Sequence, residues 1–171
     1  MPRTVLITGA QGFIGRYLVA HWLTSSPDDH VVGLGRSPGN FERFTHSVTW
    51  GDERIPAPLP AALRATLRDS RYRYHPVPLT DRGAMKDVLE QTRPDVVVHL
   101  AGALRDETAE HLFRSNVLGT EQLLECIALA GIGAPRFIHG SSGIIGADPS
   151  GERLPLDDDA VGVPVDLYAS R

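Results

Sequence analysis

Short apolar runs alternate along the chain with longer stretches in which apolar residues recur every three or four positions. The apolar runs lie at 4–8, 30–35, 72–79, 95–102 and 136–142, and the helical stretches at 13–25, 60–69, 82–92 and 107–130. Alternation of strand and helix is typical of βαβ units on a parallel sheet. The pattern therefore predicts an α/β fold with a parallel sheet of about five strands and helices on both faces.

Polar and special residues refine the ends of these elements. Pro76 and Pro78 remove hydrogen-bond donors from the run at 72–79, which predicts an edge strand. Asp81 is placed to cap the helix that follows, and Gly131 to end the long helix at 107–130. The residues between the second strand and the helix at 60–69 show no clear period, and we interpret them as an irregular excursion with a stiff proline-rich connector.

The long helix at 107–130 has more apolar surface than one sheet contact needs. Leu112, Leu123 and Ile127 share one face at helical spacing, while Phe113 and Leu124 extend the apolar surface sideways. Two interpretations stay open here. The helix is either fully buried within one domain, or it uses the additional surface to contact a second subunit, which predicts a homo-oligomer.

Composition restricts the classes of function. The 171 residues form one domain, 1–171, and the formal charge of −4 argues against nucleic acid as the partner. No apolar run approaches the length of a membrane span, and the N-terminus shows no secretion leader, so a cytoplasmic protein without membrane contact is expected. The single cysteine, Cys126, is expected to be a small buried apolar residue, and the seven histidines show no metal-ligand spacing.

The stretch "TVLITGAQGFIG" carries the first specific chemistry. It places Gly9, Gly12 and Gly15 directly after a predicted strand and at the opening of a helix. A tight turn at this place brings the backbone close to a phosphate, and the free N–H groups of the helix attract the anion. The context favours dinucleotide binding over a merely tight strand-to-helix turn.

The end of the second strand bears on which dinucleotide is bound. In dinucleotide-binding folds an acidic side chain there accepts a hydrogen bond from the 2′-OH of NAD. This chain has "GLGRS", with Gly35 in the acidic position and Arg36 and Ser37 after it. An arginine and a hydroxyl suit a 2′-phosphate, so the sequence favours NADP, with NAD as the alternative.

Five stretches together resemble the extended short-chain dehydrogenase/reductase family of NAD(P)-dependent epimerases, dehydratases and reductases. They are "TGAQGFIG", "PDVVVHLAG", "NVLGT", "HGSSGIIG" and "YASR", in the family's order from Thr8 to Arg171. The resemblance implies a Rossmann-type, doubly wound sheet with strand order 3-2-1-4-5. It also implies an oxidoreductase, epimerase or dehydratase acting on a nucleotide sugar or a similar hydroxylated substrate.

The resemblance assigns roles residue by residue. It implies Tyr168 as the catalytic acid or base and Ser141 as the hydroxyl that hydrogen-bonds the reacting oxygen. With the glycine and arginine arguments above, the residues expected to contact the cofactor are Gly9, Gln11, Gly12, Phe13, Ile14, Gly15, Arg36, Ser37, Leu79, Leu100, Ala101, Gly102 and Asn116. Asn116 and Ser141 also have a purely structural interpretation, as polar groups satisfied by nearby backbone.

Two departures from the family pattern limit these expectations. The lysine that follows the family's tyrosine by four residues would fall at position 172, so we expect a chain that stops inside this motif and lacks the family's C-terminal substrate region. Pro78 stands where the family commonly has an acidic residue that contacts adenine, which leaves Leu79 and backbone for that contact. A non-catalytic module that binds or senses a dinucleotide is therefore the alternative function.

Overall fold

The computed structural model describes residues 1–39, 47–56, 58–104 and 107–142. Its strands are β1 (Thr4–Thr8), β2 (His30–Leu34), β3 (Ser47–Trp50), β4 (Glu53–Pro56), β5 (Tyr72–His75), β6 (Val96–His99) and β7 (Arg136–His139). Its helices are α1 (Phe13–Ser25), α2 (Ala61–Thr66), α3 (Arg82–Thr92), α4 (Ala109–Leu112) and α5 (Gly119–Leu129), with a π-helical segment (Phe113–Leu118) between the last two.

Five strands form one parallel sheet in the order β5-β2-β1-β6-β7. The first strand lies at the centre, where Leu6 is opposite Val32 on one side and Val97 on the other. Counted within this sheet, the order is 3-2-1-4-5. The predicted doubly wound parallel sheet is thus confirmed, as is the edge position of the strand containing Tyr72.

Alternating strand residues build two apolar layers, because successive side chains of a strand point to opposite faces. On one face, residues such as Ile7 and Val31 pack with Val19 and Leu23 of α1. The opposite layer is centred on Leu6, Val32 and Val97 of the sheet, Met85 and Leu89 of α3, and Leu123 and Cys126 of α5. Helices cover both faces, and Cys126 is buried as expected.

The predicted irregular excursion after the second strand contains a β-hairpin, so that prediction was wrong in part. Strands β3 and β4 pair antiparallel, with Trp50 opposite Glu53 and Gly51 at φ 60° in the connecting turn. A two-residue Gly-Asp connection is a hairpin signal, because glycine adopts positive φ without a steric cost. The hairpin signal is therefore present in "TWGDER", although the two strands are too short to show a clear hydrophobic period.

Element ends agree closely with the polar signals. Asp81 caps α3, with its side chain accepting a hydrogen bond from the Ala84 N–H at 3.0 Å, as predicted. Gly131 follows the last helix at φ 59°. The helix predicted at 107–130 begins later, at Ala109, and is widened in its middle by the π-helical segment.

Candidate functional site

The carboxyl ends of the parallel strands meet at one edge of the sheet, where they border a cleft of about 1150 Å³. The cleft lies beside β1, where the sheet order reverses, and ligands of open α/β sheets bind at this place. Its walls come from the loops after β1, β2, β5 and β6 and from the α4 region. Predicted cofactor residues that line it are Gly9, Gln11, Gly12, Arg36, Ser37, Leu79, Leu100, Ala101 and Gly102.

The turn after β1 needs its glycines for distinct steric reasons. Gly9 has φ 68°, and a Cβ there would lie 2.9 Å from the backbone nitrogen of Ala101. A Cβ on Gly15 would lie 2.1 Å from the carbonyl oxygen of Gly9, so the helix approaches the strand more closely than any side chain permits. The Gly12 N–H donates to that same carbonyl at 2.8 Å, which closes the turn.

The N-terminus of α1 faces the cleft without a capping side chain. Gly12 is the N-cap and makes no side-chain cap hydrogen bond, and the first turn contains no acidic residue. The first N–H groups of a helix have no partner within the helix, and the helix dipole adds partial positive charge there. This combination suits an anion such as a diphosphate. Phe13, Ile14 and Gly15 form this first turn and lie beside the cleft lining.

The end of β2 is shaped by a tyrosine from β5. A Cβ on Gly35 would lie 2.6 Å from the Tyr74 hydroxyl oxygen, so this tyrosine occupies the space of a side chain at position 35. The Tyr74 hydroxyl donates to the Ser37 carbonyl at 2.7 Å and holds the loop that carries Arg36. Burial raises the pKa of Tyr74, so its hydroxyl remains a donor at neutral pH.

The loop after β6 is fixed from two sides. The Thr8 hydroxyl accepts hydrogen bonds from the N–H groups of Leu100 and Ala101, at 3.2 and 3.1 Å. Asn116 holds the other end of the loop, because its side-chain oxygen accepts from the Ala103 N–H at 2.7 Å and its amide donates to the Ala103 carbonyl at 3.2 Å. Asn116 thus fixes the loop that lines the cleft. This agrees with the interpretation of Asn116 as a polar group satisfied by nearby backbone.

Leu79 lies in the cleft and also packs against the long helix. A Cβ on Gly119 would lie 3.0 Å from the Leu79 Cδ1 atom, so this glycine lets the loop after β5 approach α5. Pro78 and Thr80 flank Leu79 in the cleft lining. The wall in this part of the cleft is mostly apolar, consistent with the absence of an acidic residue at position 78.

Arg16 lines the cleft although it was not among the residues predicted to contact the cofactor. Its side chain is buried, lines the cleft, and places its guanidinium carbon 5.5 Å from the Phe13 ring centre and 5.6 Å from that of Tyr17. Burial lowers the pKa of Arg16, although an arginine stays charged at neutral pH. Its position directly after the third glycine was the available signal. Of the described residues, Arg16, Arg36 and Arg114 are the three arginines that line the cleft, and Arg114 pairs with Glu110, which also lines it.

The predicted catalytic residues are only partly placed. Ser141 is exposed just beyond β7, at the same carboxyl edge of the sheet as the cleft. Tyr168 lies outside the described residues. Within the described ranges, no group of three His, Cys, Asp or Glu side chains is arranged to hold a metal ion. None of the helices in those ranges combines the length and apolar composition needed to cross a bilayer.

The strand order and the glycine turn define a Rossmann-type fold, and comparison with known proteins gives the family. Residues 5–170 match the NAD dependent epimerase/dehydratase family, so the chain belongs to that family. The dTDP-glucose 4,6-dehydratase of Neisseria gonorrhoeae is 30% identical over 129 residues, which is 72% of this chain and 32% of that protein. UDP-glucose 4-epimerase 2 of Oryza sativa is 30% identical over 162 residues, 90% of this chain and 36% of the relative.

Solved structures give the same fold. The UDP-glucuronic acid 4-epimerase of Bacillus cereus in complex with NAD aligns with a TM-score of 0.68 and 25% identity, covering 98% of this chain and 48% of that one. The UDP-Glc/GlcNAc 4-epimerase of Campylobacter jejuni aligns at 0.73 with 18% identity, over 98% and 45% of the two chains, and supports the fold alone. The chain spans about a third of these curated relatives and less than half of these structures.

Proposed function

We propose that this chain binds a nicotinamide dinucleotide in the cleft at the carboxyl edge of the sheet. The observation that carries the proposal is the uncapped N-terminus of α1, which opens onto a cleft of about 1150 Å³ beside glycines whose missing side chains let the turn, the helix and the loop after β6 pack closely together. The B. cereus epimerase, whose crystal structure contains NAD, supports the same cofactor class.

The cofactor supplies a carbon that accepts and returns a hydride when it is bound. The residues of this chain would perform the binding and positioning. The backbone of the turn at Gly9 and Gly12 would hold the diphosphate, and Leu79 would pack on the adenine. The loop from Leu100 to Gly102 would form the wall beyond the central strand.

We propose a nucleotide sugar or a similar hydroxylated small molecule as the substrate of the whole protein. This substrate class is supported by similar proteins that are a dTDP-glucose dehydratase and UDP-sugar epimerases. Ser141 would hydrogen-bond the reacting oxygen, and Tyr168 would move the proton. A phenol with an ordinary pKa near ~10 is a weak base at neutral pH, so Tyr168 needs a nearby cation to act efficiently.

We propose NADP as the preferred cofactor. No carboxylate stands at position 35, and Arg36 and Ser37 line the cleft where the 2′ position of the adenosine ribose falls in this fold. The buried Arg16 adds positive charge to the same cleft. A 2′-phosphate gains charge-assisted hydrogen bonds in such surroundings, whereas a 2′-OH lacks the carboxylate that normally accepts from it.

A calorimetric titration of the 171-residue protein with NADP and with NAD tests both proposals. We expect NADP to bind more tightly, and Arg36→Ala to weaken NADP binding about tenfold with little effect on NAD, because one charge-assisted phosphate contact is lost. Arg136→Ala is the matched control, since Arg136 is an exposed arginine of β7 outside the cleft.

Each outcome has a distinct meaning. No binding of either dinucleotide by the folded protein would overturn the cofactor proposal. Tighter binding of NAD than of NADP would reject the NADP preference and leave the dinucleotide site intact. Chromatographic detection of a converted nucleotide sugar would then separate an enzyme from the alternative, a module that binds a dinucleotide without turnover, because a hydride that is returned to the substrate leaves no net absorbance change at 340 nm.

A further inference from the structure

His99 is a buried histidine next to the cleft, and both of its ring nitrogens have hydrogen-bond partners. It ends β6 with 1% of its surface exposed, so it has no access to a bound ligand. Its Nδ1 lies 2.6 Å from the Thr8 hydroxyl, and its Nε2 lies 2.9 Å from the Thr120 hydroxyl. These partners belong to the central strand and to the long helix, on opposite sides of the ring.

The direction of each hydrogen bond follows from the partners. The Thr120 hydroxyl lies 2.6 Å from the backbone carbonyl of Asn116, which only accepts, so Thr120 donates its single hydrogen there. Thr120 must therefore accept from His99, which places the ring hydrogen on Nε2. Burial lowers the pKa of His99 to about 4, with the neighbouring His139 adding to the effect, so the ring is neutral at neutral pH.

The other side of the ring is then determined as well. A neutral imidazole with its hydrogen on Nε2 has a lone pair on Nδ1, so the Thr8 hydroxyl donates to it. The Thr8 oxygen keeps two lone pairs, and these accept the N–H groups of Leu100 and Ala101. Each polar hydrogen in this series of hydrogen bonds has one acceptor. Reversing any of these hydrogen bonds would leave a buried polar group without a partner.

These bonds form a closed circuit around the cleft loop. From Thr8 the circuit runs through His99 and Thr120 to Asn116. The Asn116 side chain holds Ala103, and the loop leads back to Leu100 and Ala101 on Thr8. His99 is the one side chain in this circuit that joins the central strand to the long helix.

We propose that His99, as its Nε2–H tautomer, is a positioning residue that holds the loop 100–103 in register with the glycine turn and so sets the affinity for the cofactor. The affinity part rests on the proposed dinucleotide function. The steric contact between the turn and the loop supports it, since a Cβ on Gly9 would lie only 2.9 Å from the Ala101 nitrogen. A small shift of the loop would therefore reshape the diphosphate turn.

The first test uses the protein without cofactor. Long-range ¹H–¹⁵N NMR spectra of the imidazole rings, assigned by comparison with His99→Asn, identify the tautomer. We expect a neutral His99 with its hydrogen on Nε2 at pH 7. A hydrogen on Nδ1 would overturn the inference, because the Thr8 oxygen would then face a third donor.

The second test removes the two hydrogen bonds of the Thr120 hydroxyl while keeping the shape of the side chain. Thr120→Val can neither accept from His99 nor donate to Asn116, and Thr120→Ser retains both hydrogen bonds. We expect Thr120→Val to bind the cofactor about tenfold more weakly than the unaltered protein. In this variant the amide hydrogens of Leu100, Ala101 and Ala103 should also exchange faster with solvent. Thr120→Ser should keep the affinity and the exchange rates of the unaltered protein. His139→Gln is the control, since its ring lies 5.4 Å from that of His99 but outside the circuit.

Unchanged affinity and unchanged amide exchange in Thr120→Val would overturn the inference even if His99→Asn failed to fold. Slower folding or lower stability with normal affinity would assign the circuit a merely structural role and would equally reject the proposal. Failure of the unaltered protein to bind any dinucleotide would overturn the proposed function and the affinity part together. In that case the NMR and exchange results still decide whether His99 holds the loop.

Discussion

Gly35 shows how one missing side chain can influence cofactor choice. The space beside it is taken by the Tyr74 hydroxyl, which also holds the backbone of Ser37. An acidic residue at position 35 would meet this hydroxyl before it reached a ribose. The proposed preference for NADP would thus depend on Gly35 and Tyr74 together, and not on Arg36 alone.

This pair yields a prediction for cofactor specificity. Gly35→Asp alone should weaken binding of both dinucleotides, because its Cβ would lie 2.6 Å from the Tyr74 oxygen. Adding Tyr74→Phe removes that oxygen, and the double variant should favour NAD about tenfold more than the unaltered protein does, since a carboxylate accepts from the 2′-OH and repels a 2′-phosphate. Calorimetry with both cofactors measures the change, and Tyr74→Phe alone is the control. A double variant that kept its NADP preference would contradict this account.

At the scale of elements, the contact between β1 and α1 depends on the absence of a side chain at Gly15. A Cβ there would lie 2.1 Å from a backbone oxygen and 2.9 Å from the Ala10 Cα, and backbone cannot rotate away as a side chain can. The helix must then move away from the strand. Because its first turn forms part of the proposed diphosphate site, both stability and binding depend on this packing.

A pair of glycine-to-alanine substitutions tests this contact. Gly15→Ala should lower the free energy of unfolding by about 3 kcal/mol, the usual range for overpacking against a rigid neighbour. Gly83→Ala in α3 should raise it by up to about 1 kcal/mol, because its Cβ would have only an ordinary contact at 3.7 Å and alanine favours helix. Urea unfolding of the three proteins measures both. Equal effects of the two substitutions would contradict the steric argument.

The long helix illustrates what periodicity misses. On the predicted face, Leu112 and Leu123 are buried and Ile127 is partly buried, yet the chain between the first two winds as a π-helical segment. Nothing in "FRSNVL" marks this widening, since it contains neither glycine nor proline. The segment carries Asn116, whose side chain bonds with Ala103, so tertiary contacts accompany the local geometry. Such insertions are frequent at functional sites.

At the scale of the whole molecule, the buried His99 should make stability depend on pH. Its pKa falls from 6.5 in the unfolded chain to about 4 in the fold, so the unfolded chain takes up the proton first. The contribution of His99 to the free energy of unfolding is therefore fully present above about pH 6.5. It decreases as the pH falls towards 4, and below pH 4 protonation of His99 causes no further loss. The shift corresponds to about 3 kcal/mol.

Urea unfolding between pH 7.5 and 3.5 measures this dependence, with His99→Asn as the comparison. Burial opposes ionisation of Asp29, but hydrogen bonds with Arg3 and Trp22 outweigh it and lower the pKa of the carboxyl to about 2. Protonation of Asp29 therefore affects stability only at the acidic end of this pH range. We expect the variant to have a clearly smaller slope between pH 6.5 and 4, with part of the slope remaining because burial also lowers the pKa of His75. An unchanged slope would assign the acid sensitivity to other groups.

Self-association is the second prediction at this scale. Phe113 and Leu124 of the long helix are exposed, and Leu124 retains 45% of its surface. The described structure leaves this sideways apolar surface uncovered, which favours contact with another copy. Sedimentation velocity should show concentration-dependent association that Leu124→Lys weakens about tenfold, while Ile55→Lys, at a similarly exposed residue of β4, leaves it unchanged. A monomer at every concentration would contradict this prediction.

Some of this protein follows from the sequence alone. The alternation of apolar runs and helical periods determined the parallel sheet and its helices, because burial of both sheet faces requires near-continuous apolar strands. Local backbone rules gave the cap at Asp81, the helix end at Gly131 and the glycine turn. Most cofactor candidates proved to line one cleft, since the carboxyl ends of parallel strands meet at one edge.

Other features arise only when distant segments come together. The hydroxyl of Tyr74 beside Gly35, the buried Arg16 in the cleft and the circuit through His99 join residues from different strands and helices. Periodicity reports which face of an element is apolar, but it does not report which polar atom lies opposite which. Tertiary structure decided those pairings, because a buried hydrogen bond depends on distances between elements that no local pattern records.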